Sequence, residues 1–442
     1  MNTVLTILID LVSVTFALGV IIVVHEAGHL LMAKTFGVRV LTYSIGFGKR
    51  LVGFRRGETD YRISAVPLGG YVRLDGENPD ESSGDPRQFL SKPRWQRVLI
   101  FLAGPAMNVV LSVAIFAGLF MLGIQVAEMP STAPVIGSVE EGSSAAHAGL
   151  LRGDLIVGIK GEPAKSWRDV SFALAVAPEK PVPLQIKRGD HTFAATVTPK
   201  RVPQYELGDL AGILPVMQAQ IRDVQAGKPA AAAGLRPGDT IRSVAGQAVL
   251  DPQDFVTAIE QRAGRPVPVE VARDGRIVRL TVVPALEGKV GKIGVSVERV
   301  GPYQRYPPLE ALRASVALNV EIVSETFQLM GKVFRREMSA KGALGGPIEI
   351  ANQSGAAARR SLKDLFYVMG VISLSIALLN LMPIPILDGG QIFILLVEEV
   401  IRRDLSLRLK EVISQVGLVL ILMLMVVAFC LDLSRHGWLP GL

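Results

Sequence analysis

Four long apolar runs constrain this chain more than any other feature. They are Val4 to Met32, interrupted by Asp10; Val98 to Ile124; about Leu365 to Leu396, broken by Pro383 and Pro385; and Val412 to Leu431. Roughly 20 helical residues cross a hydrocarbon core of about 30 Å, so each run is long enough to span. Apolar residues make up 49% of the 442 and charged residues 20%; mean hydropathy is +0.38. The excess is concentrated in the runs, as in a polytopic membrane protein with a soluble portion. The first run lacks a positively charged leader and continues into polar residues, so it is expected to be a retained helix.

Basic residues sit beside the apolar runs. Lys34, Arg39, Lys49, Arg50, Arg55, Arg56, Arg94 and Arg97 lie between the first two, and Arg402, Arg403, Arg408 and Lys410 precede the fourth. Positive loops stay cytoplasmic, which puts both termini and the long middle segment outside. This accounts for the net charge of +7. No nucleic-acid-binding motif accompanies it, so no nucleic-acid partner is expected; the lipid bilayer is. Cys430 is the only cysteine, which excludes an intrachain disulfide and a cysteine metal site.

The middle segment repeats itself. Ala145 to Ile156 (AAHAGLLRGDLI) aligns with Ala230 to Ile241 (AAAAGLRPGDTI) at an offset of 85 residues. The same offset pairs Gly161 with Gly246, Asp169 with Asp254, and Pro199 with Pro284. Two domain-sized copies of one unit follow, each reading as Ala-rich helix, Ala-Gly-Leu, Gly-Asp and an apolar strand. The pattern resembles the PDZ domain in its circularly permuted form, which implies binding of an extended peptide or a C-terminus at a sheet edge.

The first run carries His25-Glu26-Ala27-Gly28-His29. On a helix, residues four apart share a face, so both imidazoles can reach one metal ion; Glu26 is placed as general base. The chain has only 5 histidines, and charged groups in a span are costly unless functional. A catalytic Zn2+ takes three protein ligands and keeps one position open. No third span histidine exists, and Asp388 is the carboxylate expected at matching depth; Asp10 lies too far along the His25 helix. Pro383 and Pro385 free backbone groups where a hydrolase needs them, and Asn380 is placed to hydrogen-bond substrate or a developing oxyanion.

His25-Glu26-x-x-His29 together with Asn380-x-x-Pro383-x-Pro385-x-Leu387-Asp388-Gly389 resembles the site-2 protease family of intramembrane metalloproteases. The resemblance implies zinc on His25, His29 and Asp388, catalysis by Glu26, and substrate contacts by Asn380, Pro383, Pro385 and Asn108, the last in Gly104-Pro105-x-x-Asn108. It implies as substrates single-span membrane proteins of anti-sigma-factor type, trimmed beforehand, or remnant signal peptides. It also implies a bacterial inner-membrane location with periplasmic PDZ domains, and a membrane-associated β-hairpin within residues 40–74.

The expected fold is thus a polytopic α-helical membrane protein with about four transmembrane helices and two inserted extracytoplasmic PDZ-like α/β domains. Expected boundaries are 1–124 and 364–442 for the membrane parts, 125–205 and 206–290 for the PDZ-like copies, and 291–363 for a linker with an amphipathic helix at 309–334. Two other classes stay open: a non-catalytic PDZ scaffold, against which the intact Glu26 speaks, and a zinc-dependent transporter or sensor.

Overall fold

The structure is a computed structural model and describes residues 3–78, 83–125, 133–203, 206–273, 276–301, 303–335, 337 and 345–435. Helices α1 (Thr3–Thr35) and α2 (Arg94–Leu122) flank a strand pair, β1 (Val40–Arg56) and β2 (Thr59–Leu74). The repeat contributes α3 (Ser144–His147) and α4 (Trp167–Ala175), then α5 (Pro229–Ala232) and α6 (Pro252–Glu260). After it come α7 (Pro308–Phe334), α8 (Pro347–Arg360), α9 (Leu362–Asn380), α10 (Asp388–Ile401) and α11 (Leu407–Arg435). Two compact units result: Met1–Leu122 with Arg305–Gly331 and Ala343–Leu442, and Gly123–Gln304 with Lys332–Gly342.

Among the described residues of the first unit, four helices are long and apolar enough to cross a membrane: Leu5–Thr35, Arg94–Leu122, Leu362–Asn380 and Leu407–Ser434. The third apolar run is broken where its two prolines stand. It is two helices, because Pro383 and Pro385 lack the amide a helix needs and bias their predecessors away from helical geometry. The chain leaves α9 at Asn380 and restarts at Asp388. At 14 residues, α10 is too short to span alone.

The helix expected at 309–334 is α7. It buries Ala311, Ser315, Asn319 and Ile322, a stripe at helical spacing. The stripe meets α2: Ser315 donates to the Val113 carbonyl at 2.7 Å, and Ser112 donates to Asn319 Oδ1 at 2.8 Å. Helix α8 is held at both ends by carboxylates. Buried Asp432 of α11 accepts from the Gly346, Ile348 and Glu349 amides at 2.9–3.1 Å, which satisfies orphan donors at the α8 N-terminus. Asp10 of α1 pairs with Arg359 near the other end, which accounts for a charge inside an apolar run.

β1 and β2 are long and kinked. Residues 42–45 pair with 70–73 on one side and with 60–63 on the other, so the segment Gly70–Leu74 forms an outer edge. No further strand pairs with that edge among the described residues.

In the second unit the repeat is visible atom by atom. Asp154 and Asp239 are both buried; each accepts two bonds from an arginine, Arg188 at 2.6 and 2.8 Å and Arg273 at 2.7 and 2.7 Å. Each arginine also donates to the carbonyl of the glycine in Ala-Gly-Leu, Gly149 or Gly234, at 2.8 Å. Ser166–Asp169 and Asp251–Asp254 form matching capping boxes on α4 and α6.

The boundary expected at 205/206 moves. Strand Ile213–Pro215 pairs with Ile136–Val139 of the first copy, and Val295–Val300, expected in the linker, pairs with Gln218–Val224 of the second. In both copies the closing strand follows the rest of its own copy, so each boundary falls later than the aligned motif suggests. Val295–Val300 is the outermost strand of its sheet, and a groove of about 690 Å³ lies between it and α6.

Candidate active site and metal centre

Helices α1 and α2 approach closely at two glycines. A Cβ on Gly28 would run into the Ala103 carbonyl, and one on Gly104 into the Nε2 atoms of His29 and His25. The glycines therefore let the two imidazoles lie against α2. His29 Nδ1 donates to the Ile100 carbonyl at 2.8 Å, which fixes Nε2 as its free nitrogen. His25 Nε2 faces it at 3.2 Å.

Asp388 reaches the same point from α10. Its Oδ2 lies 3.2 Å from His25 Nε2 and 3.6 Å from His29 Nε2. As the first residue of α10, it is favoured by the amides of the first helical turn. Gly389 and Gly390 permit that turn, since a Cβ on either would collide with carbonyl groups of the Leu381–Ile384 segment. Gln391 Nε2 donates to the Pro385 carbonyl at 2.7 Å and braces the loop from within the helix.

The three ligand atoms fit a zinc ion. Donors about 2.0–2.1 Å from a tetrahedral ion stand about 3.3 Å from one another, and these stand 3.2–3.6 Å apart. Two imidazoles and a carboxylate form a catalytic rather than a structural donor set, leaving a position open. The cradle is also tight, as Gly104 shows.

A cavity of about 530 Å³ opens on these groups. Glu26 lines it beside the edge segment of β2, close enough that a Cβ on Gly70 would come 3.1 Å from its Cγ. Gly69 to Val72, Asn380 and Asp388 line it too; Pro383 and Pro385 do not. Their contribution is to break the helix. Tyr43 anchors the sheet to α1 by donating to the Val23 carbonyl at 2.8 Å. Burial, with the Glu26 charge second, pushes its phenol up to about 12, so it remains a donor. Asn108 is fully buried on α2, with its amide 3.2 Å from His25 Nδ1. The sequence reading missed the Ile100 carbonyl, since a backbone group leaves no mark on side-chain identity. It also missed Gly70, which only its place in a Gly-punctuated β segment could have marked.

Two imidazoles four apart on a helix, a carboxylate from a second helix and an adjacent glutamate, set among helices apolar enough to cross a membrane, define a zinc metalloprotease of the multi-pass membrane class. The description "Peptidase family M50" matches residues 13–424, and the chain belongs to that family. A regulator of sigma-E protease, RseP, from Salmonella typhimurium is 31% identical over 457 residues, covering 98% of this chain and 100% of that one. Its Escherichia coli K12 namesake is 30% identical, with 98% and 100% covered. A Vibrio cholerae protein whose name describes a zinc metalloprotease is 31% identical, with 97% and 99% covered.

Proposed function

We propose that this chain is an intramembrane zinc endopeptidase. It cuts single-span membrane proteins of anti-sigma-factor type within or beside their transmembrane segment, after prior trimming, and so releases a signalling fragment. The observation that carries this reading is the convergence in one cavity of His25, His29 and Asp388, the Glu26 carboxylate and the edge of β2, with which no further strand pairs among the described residues.

His25, His29 and Asp388 hold the metal. Bound zinc supplies Lewis acidity, which makes water acidic near neutral pH and polarises a carbonyl. Glu26 takes the proton of the attacking water and delivers it to the departing amine. The Asn380 amide donates to the substrate carbonyl oxygen as it gains charge. The edge Gly70–Leu74 receives the substrate as an added strand. A helical peptide bond is sheltered from attack, and unwinding it at membrane depth frees backbone groups that must find partners. Pro383 and Pro385 keep Asn380 and Asp388 on separate helices, so that both face the cavity.

The two PDZ-like copies act on the periplasmic side of the inner membrane, either excluding untrimmed proteins or receiving the new C-terminus. The edge strand Val295–Val300 and its groove favour the second copy as the peptide receptor.

The test is co-expression with a tagged single-span substrate lacking its outer domain, comparing wild type, Glu26→Gln and Asp388→Asn by gel shift. Cleavage by wild type alone is expected, with zinc kept by Glu26→Gln. Stoichiometric zinc with no cleavage of any single-span or signal-peptide substrate would instead favour a transporter or sensor. Absence of zinc from the wild type would favour the scaffold.

A further inference from the structure

The face of α2 that meets the two histidines is built at four-residue spacing: the Ile100 carbonyl against His29, Gly104 between the rings, Asn108 against His25. Asn108 is fully buried, and its Oδ1 has no hydrogen-bond partner, while its Nδ2 is drawn 3.2 Å from His25 Nδ1. That amide can be turned end for end without moving another atom, because oxygen and nitrogen occupy equivalent positions. One end of the buried amide lacks a partner in either orientation, so the choice between the two rests on what His25 Nδ1 requires.

The two orientations have different consequences for His25. If the amide nitrogen donates to Nδ1, the ring must carry its proton on Nε2, and Nε2 is then unable to act as a ligand. If the amide oxygen accepts from Nδ1–H, Nε2 is left with its lone pair facing His29 and Asp388. His29 already has this arrangement through the Ile100 carbonyl. Ligand histidines as a rule donate their second nitrogen to such an oxygen, which fixes both tautomer and ring angle.

We propose that Asn108 is a positioning residue for the metal centre: its amide oxygen accepts the Nδ1–H of His25 and so presents Nε2 to the ion. The proposal rests on the zinc reading given above. It gives Asn108 a role different from the substrate contact implied by sequence resemblance. Its backbone is itself held, since Ser373 donates to the Asn108 carbonyl at 2.9 Å.

The test is zinc retention by the full chain in detergent, measured by chelator competition, with the visible spectrum of the cobalt-substituted protein as second readout. Asn108→Asp keeps an acceptor and lacks the amide nitrogen; it should hold zinc as wild type does, with an unchanged cobalt spectrum. Asn108→Leu keeps the volume and loses the acceptor; it should lose zinc about 10- to 100-fold more readily. Loss of zinc by Asn108→Asp would show that the nitrogen is the working atom and overturn the proposal, even if Asn108→Leu failed to fold. Wild-type zinc retention in Asn108→Leu with only KM raised would return Asn108 to the substrate. A wild type without stoichiometric zinc would sink the metal reading itself, a result separable from both.

Discussion

The two copies of the repeat share their interior and differ at one edge. Both bury an aspartate under an arginine, both cap their long helix with the same box, and both pack the glycine just before the closing strand against the residue before the one-turn helix, Gly212 on Ser143 and Gly294 on Lys228. The closing strand itself diverges. In the first copy it is the three residues Ile213–Pro215; in the second it is the six residues Val295–Val300. Pro215 sits opposite Ile136 in one copy, where Val297 sits opposite Ile221 in the other. A proline offers no amide to an incoming strand. The fold has thus been kept twice, with the means of adding a strand well developed only once.

The strongest way to break this comparison is to remove the shared interior. Asp154→Ala or Asp239→Ala leaves an arginine and a backbone amide without their acceptor and should destabilise the copy concerned by about 2–3 kcal/mol, below the range for fully buried pairs. The second copy should lose more, because Arg273 is 20% exposed and Arg188 41%. Hydrogen exchange of the full chain measures each copy separately, and Trp167 fluorescence reports the first, where the indole is buried and donates to the Val135 carbonyl at 2.9 Å. Equal losses in the two copies would show that arginine exposure does not matter here.

A second experiment converts one edge into the other. Val297→Pro should weaken binding of a peptide with a free apolar C-terminus by about tenfold or more, the loss of roughly one strand hydrogen bond and its register. Fluorescence anisotropy of a labelled peptide measures it. Unchanged affinity would mean that the groove beside α6 does not take peptides through this strand.

Smaller effects come from charge. Burial pushes the Asp154 and Asp254 carboxyls up, but Arg188 and Arg152 respectively, with backbone amides, hold both below the usual carboxylate range. Such groups stabilise the fold above their unfolded pKa of about 3.9, and that stability is lost as pH falls through the lower folded value. Acid should therefore lower the melting temperature of this unit only below about pH 4. Arg152 and Asp254 also tie the copies together, at 2.6 and 2.7 Å. Arg152 is 42% exposed, so Arg152→Ala should cost less than about 1 kcal/mol at neutral pH. It should also reduce the acid sensitivity contributed by Asp254; an acid response as steep as in wild type would refute the assignment.

Much of this was legible in the residues, for identifiable reasons. His25 and His29 declare themselves because helical periodicity converts a spacing of four into a shared face. Asp388 could be found because span ends and loop charges give depth. The internal repeat was plain, yet Arg188 and Arg273, themselves 85 residues apart, escaped notice because nothing in the local sequence says that either arginine folds back onto the Gly-Asp turn. The expected boundaries left the closing strands outside their own copies, since each pairs with a strand far earlier in the sequence. The break at Asn380 was visible in Pro383 and Pro385, but not that it makes two helices of one run. The side on which Asn108 faces its neighbours depends on how α1 and α2 pack, which no local pattern encodes.

One consequence follows from where the ligands lie along the chain. Asp388 is 363 residues after His25. At about 5–20 residues per second, synthesis takes roughly 20–70 s to pass from one to the other. Throughout that interval the nascent protein carries Glu26, His25 and His29 without the Asp388 that the proposed metal centre requires. On the proposed reading, cleavage therefore waits for the last part of the chain to be made.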